Sequence, residues 1–81
     1  MGADLKELLL FIAKSLADKP DDVFVDEVEK EDMTVLELRV AKEDMGKIIG
    51  RGGRVARDIR SIVRAASRDM KKIHVEILET E

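Results

Sequence analysis

The chain has 81 residues and a net charge of −3, with 44% hydrophobic and 41% charged residues. This length and hydrophobic content suit one compact domain over residues 1–81. The absence of cysteine excludes disulfides, thiolate metal sites and thiol catalysis, and a single histidine excludes a two-histidine metal site. The longest apolar run, residues 8–13, is too short to span a membrane. We therefore expect a cytoplasmic protein without a metal or cofactor.

Periodicity in the first half of the chain predicts a helix followed by a β-hairpin. Apolar residues spaced three and four apart from Leu5 to Leu16 predict an amphipathic helix, which Pro20 terminates. Residues 23–29 are rich in strand-forming residues, and residues 34–41 alternate between apolar and polar. The polar turn between these two runs predicts an antiparallel hairpin.

The second half predicts two helices and a closing strand. Residues 42–49 are typical of a short helix, and residues 53–68 of a longer one. Residues 73–78 alternate as a strand does. We expect the buried stripe of the longer helix to contain Val55, Ile59, Ile62, Val63 and Ala66.

The order α-β-β-α-α-β constrains the fold. A strand, two helices and another strand form a crossover, which favours a parallel pair of strands. The second strand would then lie in the centre of a three-stranded mixed sheet, with three helices on one face. The sequence predicts a two-layer α+β domain.

Charge is distributed unevenly along the chain. Residues 42–72 hold ten basic and four acidic residues, a net charge of +6, whereas the remainder carries −9. Such asymmetry indicates a phosphate-bearing partner, although a solvated helix face is the alternative interpretation. Five basic residues share one face of the longer helix: Arg54, Arg57, Arg60, Arg64 and Arg68. We interpret the last three as solvated, contributing general electrostatic attraction.

A glycine-rich turn separates the two predicted helices. We call residues 50–53, Gly-Arg-Gly-Gly, the glycine loop. The N–H groups at the start of the following helix, together with nearby basic side chains, make such a turn a candidate phosphate site. The alternative is a plain connection in which the glycines only relieve strain. The turn fits neither a P-loop nor a dinucleotide fingerprint, and no nucleophile–base pattern is present, so we expect a protein without enzymatic activity.

The segment Ile48-Ile49-Gly50-Arg51-Gly52-Gly53-Arg54 resembles the I-I-G-x-x-G signature of KH domains. The predicted element order is similar to the type II, bacterial KH topology, and nearly the whole chain resembles the KhpA family of small single-KH proteins. One departure is Gly52, where a polar or basic residue is common. In KH domains this loop clamps the backbone of about four nucleotides.

The resemblance implies a single-stranded RNA-binding module, acting as an RNA chaperone or post-transcriptional regulator. The loop would hold the sugar–phosphate backbone, and of the two isoleucines before it we expect one to belong to the core. It also implies a homodimer, or a heterodimer with a larger KhpB/Jag-like RNA-binding protein. The RNA-binding residues that it implies are Lys47, Ile48, Ile49, Gly50, Arg51, Gly52, Gly53, Arg54, Arg57, Lys71 and Lys72.

A protein-interaction module with weak or no RNA binding is the alternative function. Leu10 and Phe11 widen the apolar stripe of the first helix, and they either complete the core or form a partner surface. Only two residues are aromatic, which disfavours RNA-binding modules that stack bases on aromatic rings.

Overall fold

The computed structural model describes residues 2–67 and 72–80. Within these ranges the elements follow the predicted order α-β-β-α-α-β. Their bounds are α1 Gly2–Leu16, β1 Phe24–Glu29, β2 Met33–Val40, α2 Met45–Ile49, α3 Arg54–Ala66 and β3 Lys72–Glu79. Single 3-10 turns precede β1, α2 and α3, at Pro20–Asp22, Lys42–Asp44 and Arg51–Gly53. The α2 helix is shorter than predicted because the first three of its expected residues form such a turn.

The strands form a mixed sheet in the order β1-β2-β3. The β1 strand pairs antiparallel with β2, with Phe24 opposite Arg39. The β2 strand pairs parallel with β3, with Met33 opposite Lys72. The hairpin, the parallel crossover and the central position of the second strand are therefore confirmed.

The core lies between the helices and one face of this sheet. Alternate residues of β2 point toward the helices, as the period of two requires, and the opposite face carries exposed side chains such as Phe24 and His74. The predicted two-layer α+β architecture is confirmed. The buried cluster comprises Leu9, Ala13, Val23, Val25, Leu36, Leu38, Val40, Ile48, Ile59, Val63 and Val75.

The predicted buried stripe of α3 is partly wrong. Ile59 is 2% exposed and Val63 is fully buried, but Ile62 is 47% exposed and Ala66 is also exposed. Ala56, which was not predicted, is buried. At 100° per residue, Ala56, Ile59 and Val63 lie within about 60° of one another, whereas Ile62 lies on the flank of the helix. The elements packed against α3 bury only this narrow arc.

The outer side of α1 carries an exposed aromatic ring. Phe11 points away from the core and is exposed, whereas Leu10 is half-buried against the core. Of the two residues, only Leu10 contributes to the core. None of the helices in the described ranges has the length and apolar character needed to cross a membrane.

Candidate nucleic-acid interface

The glycine loop has a backbone that only glycine adopts readily. Gly50, Gly52 and Gly53 have φ values of 77°, 65° and 79°, in the left-handed half of conformational space. The Gly50 N–H donates to the Gly46 carbonyl at 2.8 Å, and the Gly53 N–H donates to the Gly50 carbonyl at 3.1 Å. The first bond joins the loop to α2, and the second closes a turn within the loop just before α3 begins.

Gly50 is required for a second reason, which is close packing. A Cβ atom at Gly50 would lie 2.4 Å from Cγ2 of Val55 and 2.8 Å from its backbone nitrogen. No atoms lie within 4 Å of a Cβ built at Gly52 or Gly53. The loop therefore combines one tightly packed glycine with two glycines that face open space.

The open side of the loop is positively charged. Arg51, Arg54 and Arg57 are all exposed, on the loop and on the first turn of α3. The first N–H groups of a helix lack intrahelical partners and carry its positive dipole end. With α3 beginning at Arg54, directly after the loop, the arrangement can bind an anion such as a phosphate.

The two isoleucines before the loop point in different directions. Ile48 is 0% exposed and belongs to the core, whereas Ile49 is 37% exposed. Val55 is half-buried and packs against the core cluster. The expectation that one isoleucine is structural is confirmed. Ile49 is thus the apolar side chain beside the loop that a nucleobase can reach.

The three predicted lysines are not equivalent. Lys47 pairs through Nζ with the Asp18 carboxylate, which directs its side chain toward the end of α1. Lys72 is exposed at the start of β3, beside the first residue of β2. The glycine loop follows the opposite end of β2, because the chain runs from Val40 through α2 to the loop. The structure therefore does not place Lys72 next to the glycine loop. Lys71 lies outside the described residues, as does Arg68.

Arg60 has a partner that the sequence did not indicate. Its side chain is half-buried, and its Nε–H donates to the Val75 carbonyl at 3.2 Å. The Thr80 N–H, just after β3, donates to the Val40 carbonyl and so points toward β2. Backbone groups of successive residues in a strand point to opposite sides, so those of Val75, five positions earlier, point away from β2. The Val75 carbonyl therefore lies on the free edge of β3, which Arg60 covers. Arg60 is therefore not fully solvated, as we had expected of it, whereas Arg64 is exposed as expected.

A buried carboxylate lies just before α2. Asp44 is 0% exposed, and it accepts the Asp18 N–H on Oδ1 and the Lys19 N–H on Oδ2, each at 3.0 Å. The Asp18 N–H bond is the largest cause that holds the pKa of Asp44 below its ordinary value, and the Lys19 N–H and the Lys47 charge act in the same direction. Asp44 is therefore ionised at neutral pH.

An ion pair lies next to this carboxylate on the surface. Nζ of Lys19 lies 2.9 Å from Oε2 of Glu43. The hydrogen bond between them raises the pKa of Lys19 and lowers the pKa of Glu43. Together with the pair between Lys47 and Asp18, it joins the segment after α1 to α2 and to the residues just before it.

The fold and the loop together define a class of protein. The order α-β-β-α-α-β, the mixed three-stranded sheet and a Gly-x-x-Gly turn between α2 and α3 are those of a type II KH domain. A family model described as "KhpA/KhpB, KH domain" matches residues 6–77. The chain belongs to the KhpA/KhpB KH-domain family.

Curated relatives are similar to this chain over nearly its whole length. RNA-binding protein KhpA of Clostridium perfringens is 55% identical over 75 residues, which cover 91% of this chain and all of that protein. The protein of the same name from Clostridium acetobutylicum is 52% identical with the same coverage. That of Borreliella burgdorferi is 50% identical over 74 residues, which cover 90% of each chain.

Proposed function

We propose that this protein is a single-stranded RNA-binding module of one domain, residues 1–81, which holds the RNA backbone at the glycine loop. The observation that carries the proposal is the juxtaposition of three left-handed glycines, the start of α3 and three exposed arginines. Backbone N–H groups and guanidinium groups are the donors that phosphate oxygens accept. The relatives named as RNA-binding proteins support the same assignment.

Each side chain near the loop has a distinct role in this proposal. Arg51, Arg54 and Arg57 neutralise successive phosphates, and Ile49 offers an apolar surface to a base. The glycine loop lets the RNA backbone approach closely, while its Gly50 and Gly53 N–H groups donate within the protein and not to phosphate. Ile48 supports the loop from the core without contacting RNA, because it is fully buried. Lys47, Lys71 and Lys72 would add general positive charge that attracts RNA.

The cellular role that follows is binding without catalysis. We assign the protein to RNA chaperone activity or post-transcriptional regulation in the bacterial cytoplasm. It would act alone, as a homodimer, or with a larger KhpB/Jag-like protein, and the family description names KhpA and KhpB together. A protein-interaction module is the second candidate, and the observation in its favour is the exposure of large apolar side chains such as Phe11 and Ile62.

Titration of labelled single-stranded RNA over a series of salt concentrations tests this proposal. Each phosphate neutralised on a single strand contributes about −0.7 to the slope of log K against log salt. With about three or four phosphates held, we expect a slope between about −2 and −3. Arg51→Ala should make the slope shallower by about 0.7. Absent or salt-independent binding would contradict the proposal and favour the protein-interaction module.

A further inference from the structure

We infer that Asp44 is the positioning residue of the RNA-binding loop, and this inference rests on the proposed function. Asp44 does not face the loop itself. Both of its carboxylate oxygens are bonded to backbone N–H groups of the connection after α1, at Asp18 and Lys19. The residue thus fixes the start of α2 to a segment 25 and 26 residues earlier in the chain.

The α2 helix needs such an anchor because it is very short. It has five residues, Met45–Ile49, fewer than two turns. A helix of this length has no stability of its own, so its orientation depends on tertiary contacts. Two kinds of contact fix it: the apolar side chains of Met45 and Ile48, which pack against the core, and the Asp44 carboxylate at its start. Without the second contact, α2 can pivot about Ile48.

The orientation of α2 is transmitted directly to the loop. The Asp44 N–H donates to the Ala41 carbonyl at 2.9 Å, and the Gly50 N–H donates to the Gly46 carbonyl at 2.8 Å. Gly50 in turn packs so closely on Val55 that no Cβ atom fits between them. A pivot of α2 would separate Gly50 from Val55. The loop backbone and the start of α3 would then no longer face the same phosphate.

The surrounding ion pairs support this geometry but do not replace it. Lys19 pairs with Glu43, and Lys47 pairs with Asp18. Both pairs join the connection after α1 to the region of α2, as the Asp44 bonds do. All four side chains are about half exposed or more, and exposed ion pairs contribute little. The two bonds to the buried carboxylate are charge-assisted and shielded from water, and they are the stronger constraint.

The test is Asp44→Asn, which keeps the shape of the side chain but replaces one acceptor oxygen with a donor. Val63→Ala, in the buried face of α3, is the control for a loss of stability without a change in the loop. At a temperature where circular dichroism shows both variants folded, we expect Asp44→Asn to bind single-stranded RNA about tenfold more weakly than the parent. Val63→Ala should remain within about twofold.

Amide hydrogen exchange gives a second readout that a purely structural role would not change. In Asp44→Asn the amides of residues 50–53 should exchange faster than in the parent protein. The amides of β2 should keep the same ranking, from slowest to fastest exchange, as in the parent. Asp44→Glu retains both acceptor oxygens on a longer side chain, and it decides the question if Asp44→Asn does not fold. We expect it to fold and to bind RNA more weakly, because the added methylene displaces α2.

The results separate this inference from the proposed function. If the parent protein does not bind RNA, the proposed function fails. If the parent binds and the folded Asp44 variants bind equally well, the proposed function stands and the positioning role is overturned. Equal losses of affinity in Asp44→Asn and Val63→Ala would also overturn it, because they would show that RNA binding follows stability alone.

Discussion

Replacing Gly50 with alanine should destabilise the protein more than the same change at the other loop glycines. The new methyl group would lie 2.4 Å from Cγ2 of Val55 and 2.8 Å from the Val55 backbone nitrogen. Real Cβ atoms do not approach other atoms this closely, so α3 or the loop must shift. Gly50 also has φ 77° and ψ 171°, a region that is essentially restricted to glycine.

The two effects set the expected magnitude. Holding a non-glycine residue in this backbone region costs about 1–3 kcal/mol, and inserting a methyl group into a packed contact costs about 1–3 kcal/mol more. We therefore expect a loss of about 2–6 kcal/mol in the free energy of unfolding. For a domain of this size each kcal/mol lowers Tm by about 4–8 °C, so the melting temperature should fall by at least about 8 °C.

Two other glycines provide matched controls for this thermal melt. Gly52 has φ 65° with open space around it, so Gly52→Ala should cost about 1–2 kcal/mol. Gly46 lies in α2 with open space and no positive φ, so Gly46→Ala should be neutral or stabilising by up to about 1 kcal/mol. If Gly50→Ala melts at the same temperature as Gly52→Ala, the close contact with Val55 does not constrain the loop.

Three further predictions concern the core, the interface and the buried acid. Ile59→Ala should lower the free energy of unfolding, measured by chemical denaturation, by about 2–5 kcal/mol, whereas Ile62→Ala at the more exposed position should lower it by less than about 1 kcal/mol. Equal losses would contradict the burial of Ile59 and the exposure of Ile62. Arg57→Ala should weaken RNA binding in a titration more than Arg64→Ala, because Arg57 lies about 5 Å from the start of α3 and Arg64 about 15 Å. The pKa of Asp44 is lower in the folded protein than its ordinary value of 3.8. The ionised Asp44 therefore stabilises the folded state above pH 3.8, and this contribution is lost as the pH falls through the lowered pKa of the folded protein. The urea midpoints of the parent and Asp44→Asn should therefore differ at pH 7 and converge below pH 3.8, and a constant difference would contradict this role.

Much of the fold follows from local patterns in the sequence. The helical spacing in α1 and the alternation in β2 are each encoded within a few residues, and α1 ends at Leu16, before the Pro20 that was expected to terminate it. The crossover from β2 to β3 then fixes the parallel pairing, which the structure contains. The glycine loop was also readable, because its glycines and arginines are adjacent in the chain.

The contacts that were missed join residues that are distant in the sequence. Asp44 reads as one more surface acid, because nothing near it in the chain reveals its bonds to Asp18 and Lys19. Arg60 likewise finds its partner, Val75, 15 residues later on the edge of β3. Ile62 was misplaced for a different reason: helical spacing identifies the apolar side of α3, but not how wide an arc of it the neighbouring elements bury.

A comparison of two loop variants that match in side-chain shape and differ in charge tests the central claim, that the glycine loop holds the RNA backbone. One variant carries Arg51→Asp with Gly52→Asp, and its control carries Arg51→Asn with Gly52→Asn. Asp and Asn are among the residues best tolerated at the positive φ of Gly52, and no atoms lie within 4 Å of a Cβ there. Both variants should therefore fold, with equal loss of the arginine and equal backbone strain.

The decisive measurement is the affinity of these two variants for the same single-stranded RNA, with a thermal melt on each preparation. A charge about 4 Å from a phosphate costs about 1 kcal/mol in water. Two such charges predict that the aspartate variant binds about thirtyfold more weakly than the asparagine variant. A folded aspartate variant with the same affinity as its asparagine control would contradict the claim that RNA is held at this loop.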